Sequence, residues 1–177
     1  IGTALLKDIY TGASASSLSG FYDMSGTLLF GANDGAGTQL WKSDGTTGGT
    51  VLVKPVYPGY AGGTSIGQLT NINSTIYMRA KDGISGYELW KTDGTTAGTV
   101  MIKDIDPGAA YSSVPGNFTA FHDTCFFTAR TLASGNEIYV SHGTAQTTAM
   151  AADIFAGPGA SAAMYLTTTS KGLFFSA

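Results

Sequence analysis

Four short stretches of this chain alternate between an apolar face and a mixed face. They are TLLFGA ending at Ala32, TIYMRA ending at Ala80, TCFFTA ending at Ala129 and GLFFSA ending at Ala177. In a strand every second side chain points to the same face, so Phe30 shares a face with Ala32, and Met78 shares one with Ala80. The opposite positions carry one apolar and one mixed residue. The pattern predicts strands buried on both faces, and no window has the 3.6-residue apolar period of a helix.

The same stretches belong to an internal repeat. Their final alanines are 48, 49 and 48 residues apart. A second phrase, GTALLKDIYTG at Gly2, recurs as GTVLVKPVYPG at Gly49, as GTVMIKDIDPG at Gly98 and more loosely as TTAMAADIFAG at Thr147. These periods divide the chain into repeats of approximately 1–48, 49–97, 98–146 and 147–177, of which the last is incomplete.

Each repeat contains four candidate strands, of the types TVLVK, LTNIN, TIYMRA and YELWK, separated by clusters of Gly, Ser, Pro and Asp-Gly. Four strands in a unit of about 48 residues, repeated side by side, predict an all-β fold of four-stranded antiparallel β-propeller blades. We expect fifteen strands, one short of four blades. Because this would leave an open sheet edge, the pattern favours residues 1–177 as a single segment of a larger propeller.

A third phrase joins successive repeats. QLWKSDGTTGGT runs from Gln39 to Thr50, and ELWKTDGTTAGT runs from Glu88 to Thr99. Trp41 and Trp90 are expected between blades. The dipeptides after them suit tight turns, because Asp bonds its own following backbone and Gly adopts positive φ at no steric cost. The turn residues predicted in the three copies of this phrase are Asp44, Gly45, Asp93, Gly94 and Gly143.

The third copy of the joint, SHGTAQTT, has His142 where the other two copies have Asp44 and Asp93. A turn residue tolerates this exchange, whereas a catalytic or metal-binding aspartate would not. The main alternative is that these aspartates bind calcium. Calcium needs about six to eight oxygen ligands, and each loop supplies one dependable carboxylate. We therefore expect no metal site and no cofactor, with calcium as a weak alternative.

The joint phrases resemble the bacterial ELWxxDGTxxGT repeat family, whose members are usually long, secreted or surface-exposed chains. The resemblance covers the chain in two clear copies, one eroded copy and one partial copy. It implies a propeller-like all-β repeat and an extracellular or cell-surface location. The family supplies no catalytic residues that could be transferred to this chain.

Composition excludes several partners. The net charge is -3, and the nine Lys and Arg residues are scattered, so the chain has no basic field for nucleic acid or anionic membranes. No apolar run approaches the roughly 20 residues that span a bilayer. The single cysteine, Cys125, cannot form an internal disulfide.

Cys125 lies close to His122 and Asp123, which suggests a thiol nucleophile with a histidine base. The repeat register favours a different interpretation. Cys125 takes the place of Ile76, an inward strand position, where cysteine behaves as a small hydrophobe. His122 and Asp123 fall at a hairpin turn. We therefore expect no catalytic residues.

An aromatic residue recurs before a glycine-containing loop, as Tyr10, Tyr57 and Phe155, with Asp106 interrupting the series. These rings are either plugs between blades or exposed platforms for sugar rings, and they are the candidate ligand-binding residues. The Lys-Asp pair at Lys7 recurs only in part, so a solvated face is expected for it.

Three functions remain open. The first is a non-catalytic extracellular or cell-surface scaffold or interaction module, because most polar candidates are either turn elements or lost in a sister repeat. The second is a carbohydrate-binding, lectin-like propeller with shallow repeated sites. The third is an enzyme with an axial site partly outside this segment. The expected partners are other protein chains, or the rest of a longer chain that completes the ring, and glycans.

Overall fold

The protein is described by a computed structural model that covers residues 2–57, 66–108 and 111–177. Fourteen strands lie within these residues, and no helix long and apolar enough to cross a membrane occurs among them. The strands form three four-stranded antiparallel sheets and one two-stranded sheet, with a period of about 48 residues along the chain.

Each four-stranded sheet is a simple meander in which consecutive strands are neighbours. The first sheet contains β1 (Ser19–Met24), β2 (Thr27–Asn33), β3 (Thr38–Ser43) and β4 (Val51–Lys54). The second contains β5 (Gly67–Ile72), β6 (Thr75–Lys81), β7 (Tyr87–Thr92) and β8 (Val100–Lys103). The third contains β9 (Gly116–Phe121), β10 (Thr124–Thr131), β11 (Gly135–Ser141) and β12 (Ala149–Ala152). The fourth contains β13 (Met164–Thr169) and β14 (Gly172–Ser176).

The joint phrase lies inside a sheet. Residues 44–50 connect β3 to β4, and residues 93–99 connect β7 to β8. Each sheet therefore takes its last strand from the start of the following sequence repeat. The longer connections, such as residues 104–115, pass from one sheet to the next.

The prediction of a strand in the first copy of the GTALLK phrase is wrong. Residues 2–8 form no strand, although the copies at Val51, Val100 and Ala149 do. Each of those three pairs with a preceding strand of the ELW type. Residues 2–8 pair with no such strand, and a strand needs a neighbour to accept its ladder of hydrogen bonds.

The second strand is buried as predicted in the second and third sheets, and in the first sheet it is buried except at Leu28, which is 36% exposed. Met78, Ala80, Phe127 and Ala129 are fully buried on one face, and Leu29 and Tyr77 are buried on the other. Burial on both faces confirms the expectation from the alternating pattern. In the fourth copy the prediction fails, because Phe174 is 57% exposed and Phe175 is 41% exposed.

Successive sheets pack face to face. One core cluster joins Leu29, Leu40 and Val53 of the first sheet to Met78 and Trp90 of the second. A second cluster joins the second sheet to Phe127 and Tyr139 of the third. Trp90 thus fills the space between two sheets, which confirms its predicted place. The two larger core clusters therefore both lie between sheets.

The sheets converge along their first strands. Cα atoms of β1 and β5, of β5 and β9, and of β9 and β13 approach within 8 Å. Sheets packed in parallel layers lie about 10 Å apart. The closer approach at one edge shows that adjacent sheets stack as wedges.

Candidate functional site

The aspartates of the joint organise their own turns. Asp44 Oδ1 accepts hydrogen bonds from the Thr46 backbone N–H at 2.9 Å and from the Thr46 hydroxyl at 2.7 Å. Asp93 Oδ1 accepts the equivalent bonds from Thr95 at 2.8 and 2.7 Å. The Thr95 hydroxyl and backbone, more than any charge, hold the pKa of Asp93 below its usual value. One oxygen of each aspartate is thus used within the loop.

The glycines of the joint occupy positions that other residues rarely adopt. Gly45, Gly94 and Gly143 have φ values of 86°, 78° and 84°, in the left-handed region. The Gly94 backbone N–H donates to the Thr92 hydroxyl at 3.0 Å, and the Gly143 N–H donates to the Ser141 hydroxyl at 3.0 Å. The third joint therefore keeps the same turn without an aspartate.

A different group replaces the missing aspartate in the third joint. A Cβ atom added to Gly49 or to Gly98 would overlap the carboxylate of Asp44 or Asp93. The third joint has His142 and Thr147 at the corresponding two positions. There the Thr147 hydroxyl shares a 2.8 Å hydrogen bond with Thr144 Oγ1, and it accepts from the Thr144 N–H at 3.3 Å. The aspartate and the glycine of the first two joints are therefore replaced together in the third joint, by His142 and Thr147.

Lysines connect the segment before the first sheet, and then each of the first two sheets, to the joint that follows in the next repeat. The lysine at the end of the VLVK-type segment donates to the threonine carbonyl that closes the following joint. The Nζ to oxygen distances are 2.6 Å from Lys7 to Thr50, 2.6 Å from Lys54 to Thr99 and 2.7 Å from Lys103 to Thr148. These lysines are half-buried, so the prediction of a solvated face is wrong for them. The sequence pattern could not show a partner about 45 residues away.

A second set of bonds reinforces the same junctions. The Thr96 hydroxyl of the second joint donates to the Val53 carbonyl of β4 at 2.6 Å. Lys42 of β3 donates to the Gly94 carbonyl at 3.0 Å, and Lys91 of β7 donates to the Gly143 carbonyl at 2.8 Å. Each joint is therefore a docking point for the sheet before it.

Replacing Lys54 by Met should lower the free energy of unfolding by about 2 kcal/mol, because the Thr99 carbonyl loses a bond to a charged donor. Chemical denaturation checks this value. Lys171→Met is the matched control, since Lys171 is exposed in the turn between β13 and β14, and it should change stability by about 0.5 kcal/mol or less. Equal effects of the two substitutions would show that the bond between the sheets contributes nothing.

Buried carboxylates hold the connections between sheets. Glu88, at the start of β7, is fully buried. Its Oε2 accepts from the Ile105 N–H at 2.9 Å, and its Oε1 accepts from the Ser113 N–H at 2.9 Å. The Ser113 hydroxyl donates to Oε2 at 2.5 Å. Both ends of the connection from β8 to β9 are thus bonded to one side chain.

The other two sheets use the same position. Glu137 is fully buried and accepts from the Ile154 N–H at 2.9 Å and the Ser161 N–H at 3.2 Å. Gln39 Oε1 accepts from the Val56 N–H at 3.0 Å. The sequence analysis did not select these residues. A detectable signal was present, because Gln, Glu and Glu recur as the first letter of the ELW phrase.

Burial raises the pKa of Glu88 to about 6, and the bonds from Ser113 and Ile105 oppose this shift. The Ser113 hydroxyl also lies 3.3 Å from the Tyr87 carbonyl, to which it can donate. When Glu88 binds a proton, Oε2 can therefore donate to Ser113 while Ser113 donates to Tyr87. The site can hold the carboxyl in both protonation states.

The three predicted aromatic candidates have different surroundings. The ring of Tyr10 lies beside Gly35, and the ring of Tyr57 lies against Gly83 so closely that a Cβ atom there would overlap it. Phe155 is 60% exposed and covers Gly159. Two clefts lie at the loop end of the sheets. Tyr57 lines one of them, and Tyr10 and Phe155 line neither.

The two clefts at the loop end of the sheets are lined by residues at equivalent positions of successive repeats. The Lys81 cleft, of about 290 Å³, is lined by Tyr57, Lys81, Tyr87 and Tyr111. The Arg130 cleft, of about 500 Å³, is lined by Asp106, Arg130, Asn136 and Tyr111. Lys81 corresponds to Arg130, and Tyr87 to Asn136, in both cases 49 positions along the chain.

Cys125 is fully buried at its predicted inward position. Burial raises the pKa of its thiol above the ordinary value, so the reactive thiolate is disfavoured. His122 and Asp123 lie in the turn between β9 and β10, where His122 is exposed and its ring contacts that of Phe121. The thiol and the imidazole therefore occupy different environments.

The residues that the structure describes include no cluster of three or more His, Cys, Asp or Glu side chains that could hold a metal ion. Comparisons with family models, with curated proteins and with solved structures found no match to this chain.

Proposed function

We propose that this chain is a non-catalytic scaffold or interaction module built from β-propeller blades, forming part of a larger ring in an extracellular or cell-surface protein. The observation that carries the proposal is an apolar face on the first sheet, whose counterparts in the next two sheets are covered by a neighbouring sheet. The location rests on the resemblance of the joint phrases to the ELWxxDGTxxGT repeat family.

The uncovered face is defined by repeat equivalence. Leu18, Phe21 and Leu28 of the first sheet region are 52%, 58% and 36% exposed. The counterparts of Leu18 and Leu28 in the second sheet, Ile66 and Ile76, are each 2% exposed, because the first sheet packs on them. A patch of this kind marks an interaction site. Its natural occupant is another sheet of the same repeat, on a second copy or on the rest of a longer chain.

The wedge-shaped stacking supports a ring. Adjacent sheets approach most closely along their first strands, as the inner strands of propeller blades do around a central axis. The polar side chains of the joints support a structural role, because the aspartates, threonines and lysines are bonded within or between sheets. None of these groups has to be reserved for a reaction.

Sedimentation velocity tests the interaction surface. We expect the 18.2 kDa chain to self-associate with increasing concentration. The double variant Phe21→Glu and Leu28→Glu should remain monomeric, because two charges cannot be buried in an apolar sheet contact. Ile84→Glu is the control, since Ile84 is 73% exposed on a loop outside the patch. A wild-type chain that stays monomeric at all concentrations would contradict the proposal.

A further inference from the structure

The Lys81 cleft and the Arg130 cleft form one groove across the second and third sheets, because Tyr111 and Ser112 line both. Tyr111 is 42% exposed, so its ring is available to a ligand in either cleft. We call this surface the Tyr111 groove. Tyr111 has no aromatic counterpart in the neighbouring repeats, where Gly62 and Gly159 correspond to it.

The backbone that carries Tyr111 is held on both sides. The Tyr111 N–H donates to the Gly108 carbonyl at 2.9 Å, and the Tyr111 carbonyl lies against Gly86, where no side chain would fit. The Ser112 hydroxyl accepts from the Tyr87 N–H at 2.7 Å, and the Ser112 carbonyl accepts from Arg130 Nε at 2.9 Å. An exposed ring on a fixed backbone loses little conformational freedom on binding.

The charges of the Arg130 cleft do not favour an ionic ligand of either sign. Asp106 and Arg130 line the same cleft, so an anion meets a carboxylate and a cation meets a guanidinium. Asn136 adds an amide to this wall. A carboxylate, an amide and a guanidinium together offer both acceptors and donors in flat groups. A neutral ligand with many adjacent hydroxyl groups satisfies all three.

We propose that the Tyr111 groove binds a neutral oligosaccharide. The apolar face of one sugar ring stacks on Tyr111, and its hydroxyl groups bond with Asp106, Arg130 and Asn136. A following sugar unit enters the Lys81 cleft beside Tyr57. The two cleft volumes, of about 500 and 290 Å³, belong to the size class of small-ligand sites.

Glycan-array binding followed by titration calorimetry tests this site. The probes are neutral oligosaccharides of glucose, galactose, mannose or N-acetylglucosamine, together with uronic-acid oligosaccharides. We expect binding to at least one neutral probe and an affinity about tenfold lower in Tyr111→Ala. Tyr111→Phe keeps the ring and should stay within about threefold of the wild type. Tyr165→Ala, which removes a 77% exposed ring on β13 outside the groove, should bind as the wild type does.

Three results would overturn the inference: no binding to any neutral probe at millimolar concentration, wild-type affinity in Tyr111→Ala, or binding confined to the uronic-acid probes. Thermal unfolding checks that each variant is folded. We expect each one to be folded, because an exposed side chain contributes little to stability. Self-association of the chain is measured separately, so loss of sugar binding leaves the scaffold proposal unaffected.

Discussion

Replacing Gly98 by Thr should lower the free energy of unfolding by about 3 kcal/mol. The new Cβ atom would overlap the Asp93 carboxylate, so either the loop moves or the two bonds from Thr95 to Asp93 break. Adding Asp93→His should recover about 1 to 2 kcal/mol of this loss, because the double variant reproduces the His142 and Thr147 combination of the third joint. Urea denaturation of the wild type, both single variants and the double variant measures the coupling.

The chain provides a matched control for the Gly98 variant. Gly48 has no atom within 4 Å of an added Cβ, and the second joint naturally has Ala97 at the same place. Gly48→Ala should therefore be neutral or slightly stabilising. If Gly98→Thr and Asp93→His have strictly additive effects, the carboxylate does not fill the space that the glycine leaves.

The joints show which features could be predicted from sequence. The turn of Asp93 and Gly94 depends on residues within a few positions of each other, and the repeat gives three copies of it to compare. The strand faces follow from alternation, which each strand carries in itself. The all-β sheets and the place of Trp90 between them were therefore predictable.

The features that sequence analysis missed depend on distant partners. Lys54 bonds to a carbonyl 45 residues away, and Glu88 bonds to Ile105 and Ser113, 17 and 25 residues away. The bonds to Thr99 and Ile105 use backbone groups, so the side-chain types of these two residues do not reveal them as partners. Tyr111 was missed for another reason. It has no copy in the other repeats, so an analysis of repeated positions does not select it.

The strand expected at Gly2 failed because the local sequence is not sufficient to make a strand. Gly2–Lys7 has the same pattern as Gly49–Lys54, yet only the second copy has an ELW-type strand beside it. The lysine bond to the following joint forms in both copies. Side-chain docking therefore persists at a position where backbone pairing is absent.

Replacing Glu88 by Ala should lower the free energy of unfolding by about 4 kcal/mol, the largest effect expected in this chain. The substitution leaves the Ile105 N–H, the Ser113 N–H and the Ser113 hydroxyl without their acceptor in a buried place. Glu88→Gln should cost about 1 to 3 kcal/mol, because the amide NH₂ must face one of the two backbone N–H groups. Chemical denaturation measures both losses.

The Glu88 site also predicts how stability depends on pH. The pKa of Glu88 is raised from 4.5 in the unfolded chain to about 6 in the folded protein, chiefly because burial disfavours the charge. Between these values the folded state holds a proton that the unfolded state has released. The part of the stability that comes from this raised pKa is therefore complete below pH 4.5 and is lost as the pH rises through about 6, whereas the bonds from Ile105 and Ser113 are accepted by the ionised carboxylate as well.

Glu88→Gln separates this effect from other titrating groups, because an amide does not ionise. Denaturation of both proteins at several pH values should show a difference in stability that changes between pH 4.5 and about 6 and is constant above that range. The other ionisable groups are the same in both proteins, so the difference isolates position 88. A difference that does not change with pH would mean that the Ser113 and Ile105 bonds balance the cost of burying the charge, and that the pKa of Glu88 is the same in the folded and unfolded protein.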